Sequence, residues 1–319
     1  MQFISESLAA LRLGAPHAHL NLALFPLIAD FDRAPDYLLL DDALERKLAC
    51  VSEVSAEGRV PELAFENSSS EKILLVDGDE LVGARQNRIL NLTILVGGAQ
   101  KLVIPVSCVE QGRWRYRRGG APSDFASAGR ALFARARAHK AAGVTASLRS
   151  HGERHANQSQ VWADVADKVA SCGAASETLA MADAYESRAA QVEAYVRAFR
   201  AAPRQHGAVM TIDGQPVGLE LFDSAAAFSR YLPKLVRSYA LDAIETADGL
   251  ISASGLAPSE AQVRSFLDRV SAAAGERFPA LGEGEDIRLT GSAVAGGALA
   301  VDGRLVHLAG FAVGSGPRA

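Results

Sequence analysis

Three times the chain places Asp-Gly straight after a β-branched aliphatic residue, at Val76-Asp77-Gly78, Ile212-Asp213-Gly214 and Val301-Asp302-Gly303, each flanked by apolar runs of strand length. Asp-Gly readily supplies the two positive-φ positions of a two-residue hairpin turn, so each word predicts two antiparallel strands. The expected pairs are 72–76 with 80–84, 208–212 with 216–222, and 298–301 with 304–311. Gly97-Gly98, between apolar runs at 89–96 and 101–109, predicts a fourth hairpin of the same kind. The repetition reads as reuse of one turn chemistry rather than as duplicated units. A chain built this way must contain antiparallel sheet.

The rest of the first third is also β-rich, with strand-length apolar runs at 20–28, 37–40 and 60–67. A short helix is expected at 41–48, with Asp41 positioned to cap its free N–H groups. After Gly119-Gly120-Ala121-Pro122 the character changes. From 125 to about 200 the chain is rich in Ala, Arg and Glu, which favour helix. Trp162, Val165 and Val169 fall on one helical stripe, and Val192, Val196 and Phe199 on another; such stripes read as core. Further helices are expected at 225–247, bent or broken at Pro233, and at 258–274. These blocks predict an α+β fold with a β-rich section at 1–118 and a helix-and-hairpin section at 119–319. No low-complexity linker divides them, so one compact unit is expected.

Charge excludes some functions. In 319 residues there are 33 Lys and Arg against 37 Asp and Glu, a net charge of −4, which argues against a strongly basic nucleic-acid binder and against disorder. Three widely separated cysteines, Cys50, Cys108 and Cys172, fit a reduced compartment. The start lacks a basic leader region and the run at 20–28 is too short for a bilayer, so a cytoplasmic protein without membrane association is expected. Motif searches exclude more. There is no phosphate-binding P-loop, no Cys-x-x-Cys, no His-Glu-x-x-His and no Gly-x-Ser-x-Gly, and Gly282-Glu283-Gly284 does not complete a dinucleotide fingerprint. His151 and His155 stand four apart, but Gly152 weakens helix there and no third ligand is identifiable. They read as surface histidines, and neither a metal site nor a cofactor is indicated.

One constellation remains. Arg85, Gln86, Asn87 and Arg88 offer several donors in four residues, with Glu80 upstream. Cys108, Glu110, Gln111, Arg113 and Trp114 follow the end of an apolar strand. Period two places Cys108 and Glu110 on one face. Arginine forks suit carboxylate or phosphate, so convergence of these groups predicts an anion pocket with one acid and one thiol. Glu80, Arg85, Gln86, Asn87, Gln111, Arg113 and Trp114 are the candidate ligand contacts. Glu110 is the candidate general acid or base and Cys108 the candidate nucleophile. The neighbouring Glu110 carboxylate, however, disfavours a thiolate.

The same residues carry a family resemblance. Leu-Val-Gly-Ala-Arg-Gln-Asn-Arg at 81–88, Ile-Pro-Val-Ser-Cys-Val-Glu-Gln-Gly-Arg-Trp at 104–114 and Asn-Gln-Ser-Gln-Val-Trp at 157–162 resemble signature words of one domain family. So do Gly-Leu-Glu-Leu-Phe-Asp at 218–223 and Lys-Leu-Val-Arg-Ser-Tyr at 234–239. The family is the ARG and rhodanese-phosphatase-superfamily-associated protein domain, where ARG denotes ADP-ribosylglycohydrolase. The resemblance implies a role near ADP-ribose, NAD-derived or phosphate-ester chemistry and transfers no catalytic residue. Two functions are therefore expected to compete. One is a pocket for an ADP-ribose-like or other phosphorylated small molecule, with hydrolysis as its candidate reaction. The alternative is a non-catalytic interaction or oligomerisation module that works with such enzymes.

Overall fold

A computed structural model describes residues 2–55, 57–116, 121, 125–249, 259–291 and 293–314. These residues form eight helices and eighteen strands, and the fold is α+β with almost entirely antiparallel sheet. The largest sheet has nine strands. Its path runs Leu11–Leu13, Leu22–Ala29, Gln205–Ile212, Gln215–Phe222, Arg304–Ala312, Val294–Val301, Glu285–Gly291 and Ala274–Pro279, with His17–His19 paired to Leu22–Ala29. Strands from the start of the chain thus complete a sheet made mainly by its last third. The two sections are interleaved rather than side by side.

Near-continuous apolar strands follow from a sheet covered on both faces. Along Leu22–Ala29, Leu22 and Leu24 enter one core while Phe25 and Leu27 enter another. Helices Ala134–His151 and Ala225–Gly249 cover the first face, and Gln158–Ser171 packs against Ala134–His151 to extend the same core. Gln2–Ala9 and Glu260–Ala272 cover the second through Ile4, Leu8, Val263, Phe266 and Val270. Among the described residues no helix is long and apolar enough to cross a membrane.

Two smaller sheets enclose a third core. Tyr37–Leu39, Lys72–Leu75 and Ile94–Val96 make a three-stranded sheet, in which Ile73 and Leu75 face that core and Leu74 faces the first. Opposite lies a six-stranded sheet ordered Phe125–Ala131, Asp79–Gly83, Arg88–Leu90, Lys101–Cys108, Glu62–Asn67 and Ala49–Glu53.

Two of the four expected hairpins form. Asp213-Gly214 and Asp302-Gly303 take positive φ at both residues and join directly paired strands. The other two do not form as tight hairpins, although Arg88–Leu90 from the expected fourth pair does pair antiparallel with Lys101–Cys108. Lys72–Leu75 pairs with Ile94–Val96, whereas Asp79–Gly83 pairs with Arg88–Leu90 and Phe125–Ala131. The reason lies in Asp77. Its carboxylate is drawn inward by Lys140 Nζ at 2.6 Å and Arg137 Nε at 3.7 Å, and its N–H donates to Thr93 Oγ1 at 3.1 Å. Arg137 in turn meets Glu220 of the large sheet at 2.5 Å. The turn is thus nailed into a buried charge network, and its two strands diverge into different sheets. Burial lowers the Lys140 pKa to about 8, while Lys140 and Arg137 hold Asp77 below its ordinary value against the effect of burial. At Gly97-Gly98 neither residue takes positive φ; a Cβ on Gly98 would stand 2.5 Å from the Ser70 carbonyl, so close packing explains the glycine.

Three further expectations are corrected. The run 89–96 divides into Arg88–Leu90 and Ile94–Val96, each in a different sheet. The Ala-rich stretch Phe125–Ala131 is a strand, because pairing with Asp79–Gly83 and burial of Phe125 and Ala131 outweigh its helix propensity. Helix Ala225–Gly249 runs through Pro233, because Leu232, Leu235, Val236 and Tyr239 bury against the sheet and compensate the lost bond.

Candidate functional site

Three segments are laced together where the strand Lys101–Cys108 ends. Val109 N–H donates to the Asn87 carbonyl at 3.1 Å, Arg115 N–H to that of Arg85 at 3.2 Å, and Gly112 N–H to that of Thr178 at 2.8 Å. A Cβ on Gly112 would lie 2.8 Å from the Thr178 Cα, so only glycine permits this approach. Residues 83–88, 108–116 and 178–181 therefore form one rigid corner. It holds Arg85, Gln86, Asn87, Cys108, Glu110, Arg113 and Trp114 together, as well as Arg88.

At the centre is a buried clasp. Arg113 Nε donates to Glu110 Oε1 at 2.8 Å, and Arg113 Nη2 lies 2.7 Å from Glu110 Oε2. Arg113 also donates to the carbonyls of Ala84 at 2.7 Å and Arg115 at 3.0 Å, and to Asn87 Oδ1 at 3.1 Å. Glu110 additionally accepts from the Asn87 N–H and the Thr178 hydroxyl, each at 3.2 Å. Both charges are satisfied within the protein. An anion would have to compete with Glu110 for Arg113.

Arg88 is different. It is completely buried, and only its Nη1 has acceptors, Gln86 Oε1 at 3.0 Å and the Asn87 carbonyl at 3.5 Å. Its Nε and Nη2 have no hydrogen-bond partner among the described residues. Burial lowers the Arg88 pKa, with Cys108 and Glu53 acting the other way. Trp114, 41% exposed, covers this guanidinium with its ring centroid 5.3 Å away, and Arg85 lies 5.8 Å from the same ring and 4.5 Å from that of Tyr116. Two guanidinium groups and an indole thus form one stack at the surface end of the corner.

The other expected residues take different positions. Cys108 is fully buried. Its thiol donates to the Glu110 carbonyl at 3.4 Å and accepts from the Glu110 N–H at 3.4 Å, so it meets the Glu110 backbone rather than the carboxylate. Burial pushes the thiol pKa up, with Trp162 and the Glu110 backbone opposing it in part. Glu80 turns away to Arg130 at 2.5 Å, and burial raises its carboxyl. Gln111 is exposed. Sequence reasoning missed Glu53, buried beside Arg85 with Oε1 3.4 Å from its N–H, and Thr178. It also gave no role to Gln158, whose side chain brackets the Cys108 backbone, accepting from its N–H at 2.8 Å and donating to its carbonyl at 2.9 Å. Gln158 opens a helix capped by Asn157, and that cap is the local signal that could have placed it.

Among the described residues no group of three or more His, Cys, Asp or Glu side chains is placed to hold a metal ion. What the corner offers is donors and a flat aromatic face, a chemistry for anions and planar groups. No curated protein and no solved structure shows significant similarity to the chain. Residues 10–311 do match a family, and the chain accordingly belongs to the ARG and Rhodanese-Phosphatase-superfamily-associated Protein domain family.

Proposed function

We propose that the corner at Arg88 and Trp114 binds a phosphorylated small molecule of the ADP-ribose type. The observation that carries this reading is the Arg88 guanidinium, buried with two N–H groups unpartnered among the described residues. A buried donor without an acceptor costs about 1–3 kcal/mol, and more when charged. A phosphate oxygen pair is the acceptor whose geometry matches a guanidinium edge. Trp114 is the movable cover: turned aside, it opens a path to Arg88 and offers its ring to a base or ribose. Glu110 orients Arg113 in this reading and keeps the corner rigid. The family association with ADP-ribosylglycohydrolase and phosphatase-superfamily proteins favours the same ligand class.

Hydrolysis of the bound ligand would need a general acid or base in reach, and the corner offers Glu110, which would first have to loosen its clasp on Arg113, and Glu53 beside Arg85. A Cys108 nucleophile fits less well, because burial and a raised pKa both oppose the thiolate. The test uses the chain's two tryptophans, of which Trp162→Phe leaves Trp114 as sole reporter. Titration of that variant with ADP-ribose, AMP and inorganic phosphate should change Trp114 fluorescence for the nucleotides. Arg88→Met should abolish the change while the fold persists. Unchanged fluorescence and unchanged thermal stability at millimolar ligand would overturn the proposal.

A further inference from the structure

A second concave site lies elsewhere, where the strand Phe125–Ala131 leaves regular register. Its pairing with Asp79–Gly83 shifts between Ser127 and Ala131, and Gly129 within the bulge takes a φ of 63°. Bulges bend a strand and re-aim its neighbours, and they recur beside functional sites. Here the bulge, the Leu39–Asp41 corner and the helix turn around Pro233 enclose a cleft of about 190 Å³.

The floor of the cleft is polar and ordered. Lys234 Nζ donates to Asp41 Oδ1 at 2.7 Å and to Asp79 Oδ1 at 3.0 Å. The Tyr231 hydroxyl donates to Asp79 Oδ1 at 2.8 Å, and the Ser127 hydroxyl to Asp41 Oδ1 at 2.5 Å. Both donors to Asp79 reach the same oxygen, and among the described residues no donor reaches Oδ2. An ammonium has three N–H groups, of which Lys234 uses two here. Side by side, the floor presents one carboxylate acceptor and one ammonium donor.

The walls differ from the floor. Leu39, Leu40 and Pro233 supply apolar surface, and Arg230 and Arg237 stand at the mouth. Asp42 holds Arg230 at 2.5 Å, while Glu193 at 2.8 Å and the Gly129 carbonyl at 3.1 Å hold Arg237. At roughly 30 Å³ per water the space equals about six waters, enough for one small ring.

We propose that this cleft binds a pentose-sized polyhydroxylated ring. One hydroxyl donates to Asp79 Oδ2, another accepts from Lys234, and the C–H face of the ring lies on Leu39, Leu40 and Pro233. A phosphate carried on the ring meets Arg230 and Arg237. Burial sets the Asp79 pKa at about 6, so the group is an ionised acceptor at neutral pH and still within reach of a proton. Carboxyls tuned in this way cluster at functional sites. The proposal does not depend on the Arg88 corner, and variants at the two places separate them.

Saturation-transfer NMR on the intact wild-type chain tests it, with D-ribose, ribose 5-phosphate and inorganic phosphate as probes. Both sugars should show transfer, and backbone shifts should centre on residues 39–41, 79, 127–131 and 230–237. Arg230→Ala with Arg237→Ala should weaken ribose 5-phosphate at least tenfold and leave ribose unchanged. Asp79→Asn should abolish binding of both sugars, and Arg88→Met should alter neither. Absence of transfer from ribose, binding of inorganic phosphate alone, or shifts centred on Trp114 would each overturn the proposal. Because the wild-type map decides it, misfolding of the Asp79→Asn variant would not leave it open.

Discussion

Arg88 and Arg113 lie in the same corner and are both nearly or fully buried, yet they should respond in opposite ways to removal of their charge. Arg113→Met strips Glu110 of its two strongest contacts, at 2.7 and 2.8 Å, and leaves that carboxylate 4% exposed with one backbone N–H and one hydroxyl. It also orphans the Ala84 and Arg115 carbonyls. Breaking a buried pair from one side costs about 3–5 kcal/mol. With about 2.1 cal/mol/K of unfolding entropy per residue, about 1 kcal/mol moves the midpoint of a 319-residue chain by roughly 1.5 °C, so Tm should fall by about 5–8 °C. Glu110→Gln combined with Arg113→Met should recover part of the loss, because no buried charge then remains. Arg88→Met removes a desolvated cation with two unpartnered donors and replaces it with an apolar chain of similar length. Its stability should change by no more than about 1 kcal/mol in either direction. Differential scanning fluorimetry and urea unfolding of these four proteins make the comparison, and Glu110→Gln alone completes a double-mutant cycle for the clasp. If Arg113→Met were as stable as the wild type while Arg88→Met lost several kcal/mol, the assignment of clasp and binding arginine would be refuted.

Asp79 should impose a pH dependence on stability. Its pKa is raised by burial from 3.8 to about 6, so the folded chain holds this proton more tightly than the unfolded chain. The stabilisation is complete below about pH 4 and is lost as pH rises through 6, a change of about 3 kcal/mol that Asp79→Asn should remove from the stability–pH profile. A mutant profile of unchanged slope between pH 4 and 6 would contradict this. Thiol labelling of the native protein at neutral pH should modify exposed Cys50 first and Cys108 only at the rate of unfolding; prompt labelling of Cys108, read by mass spectrometry, would show an accessible thiolate. Gly207→Ala should destabilise by several kcal/mol, because a Cβ there would lie 2.2 Å from the Glu220 carbonyl in the paired strand. A Tm within a degree or two of wild type would show that the strands can part.

The corner was partly legible in the sequence because its residues are close in the chain. Arg85 to Arg88 and Cys108 to Trp114 lie on adjacent strand ends, so convergence followed once both strands were placed. Which arginine is spent inside the protein was not legible. That depends on Arg113 reaching Glu110 three residues away, and on the carbonyls of a separate turn. The Gly129 cleft was invisible for a stronger reason. Asp41, Asp79, Ser127 and Lys234 come from four distant segments, and the bulge that joins them lies in a stretch whose composition favours helix.

Taken by itself, the order of residues determined the α+β class, the two C-terminal hairpins and the apolar faces of the long helices. Those features are local: turn φ values and side-chain periodicity act within a few residues. Tertiary structure decided the rest. Asp77-Gly78 carries the same turn chemistry as Asp213-Gly214 and Asp302-Gly303, yet its strands part company. Lys140, Arg137 and Glu220 draw its carboxylate into a buried charge network, and in a low dielectric such pairing outweighs the preference of a two-residue turn.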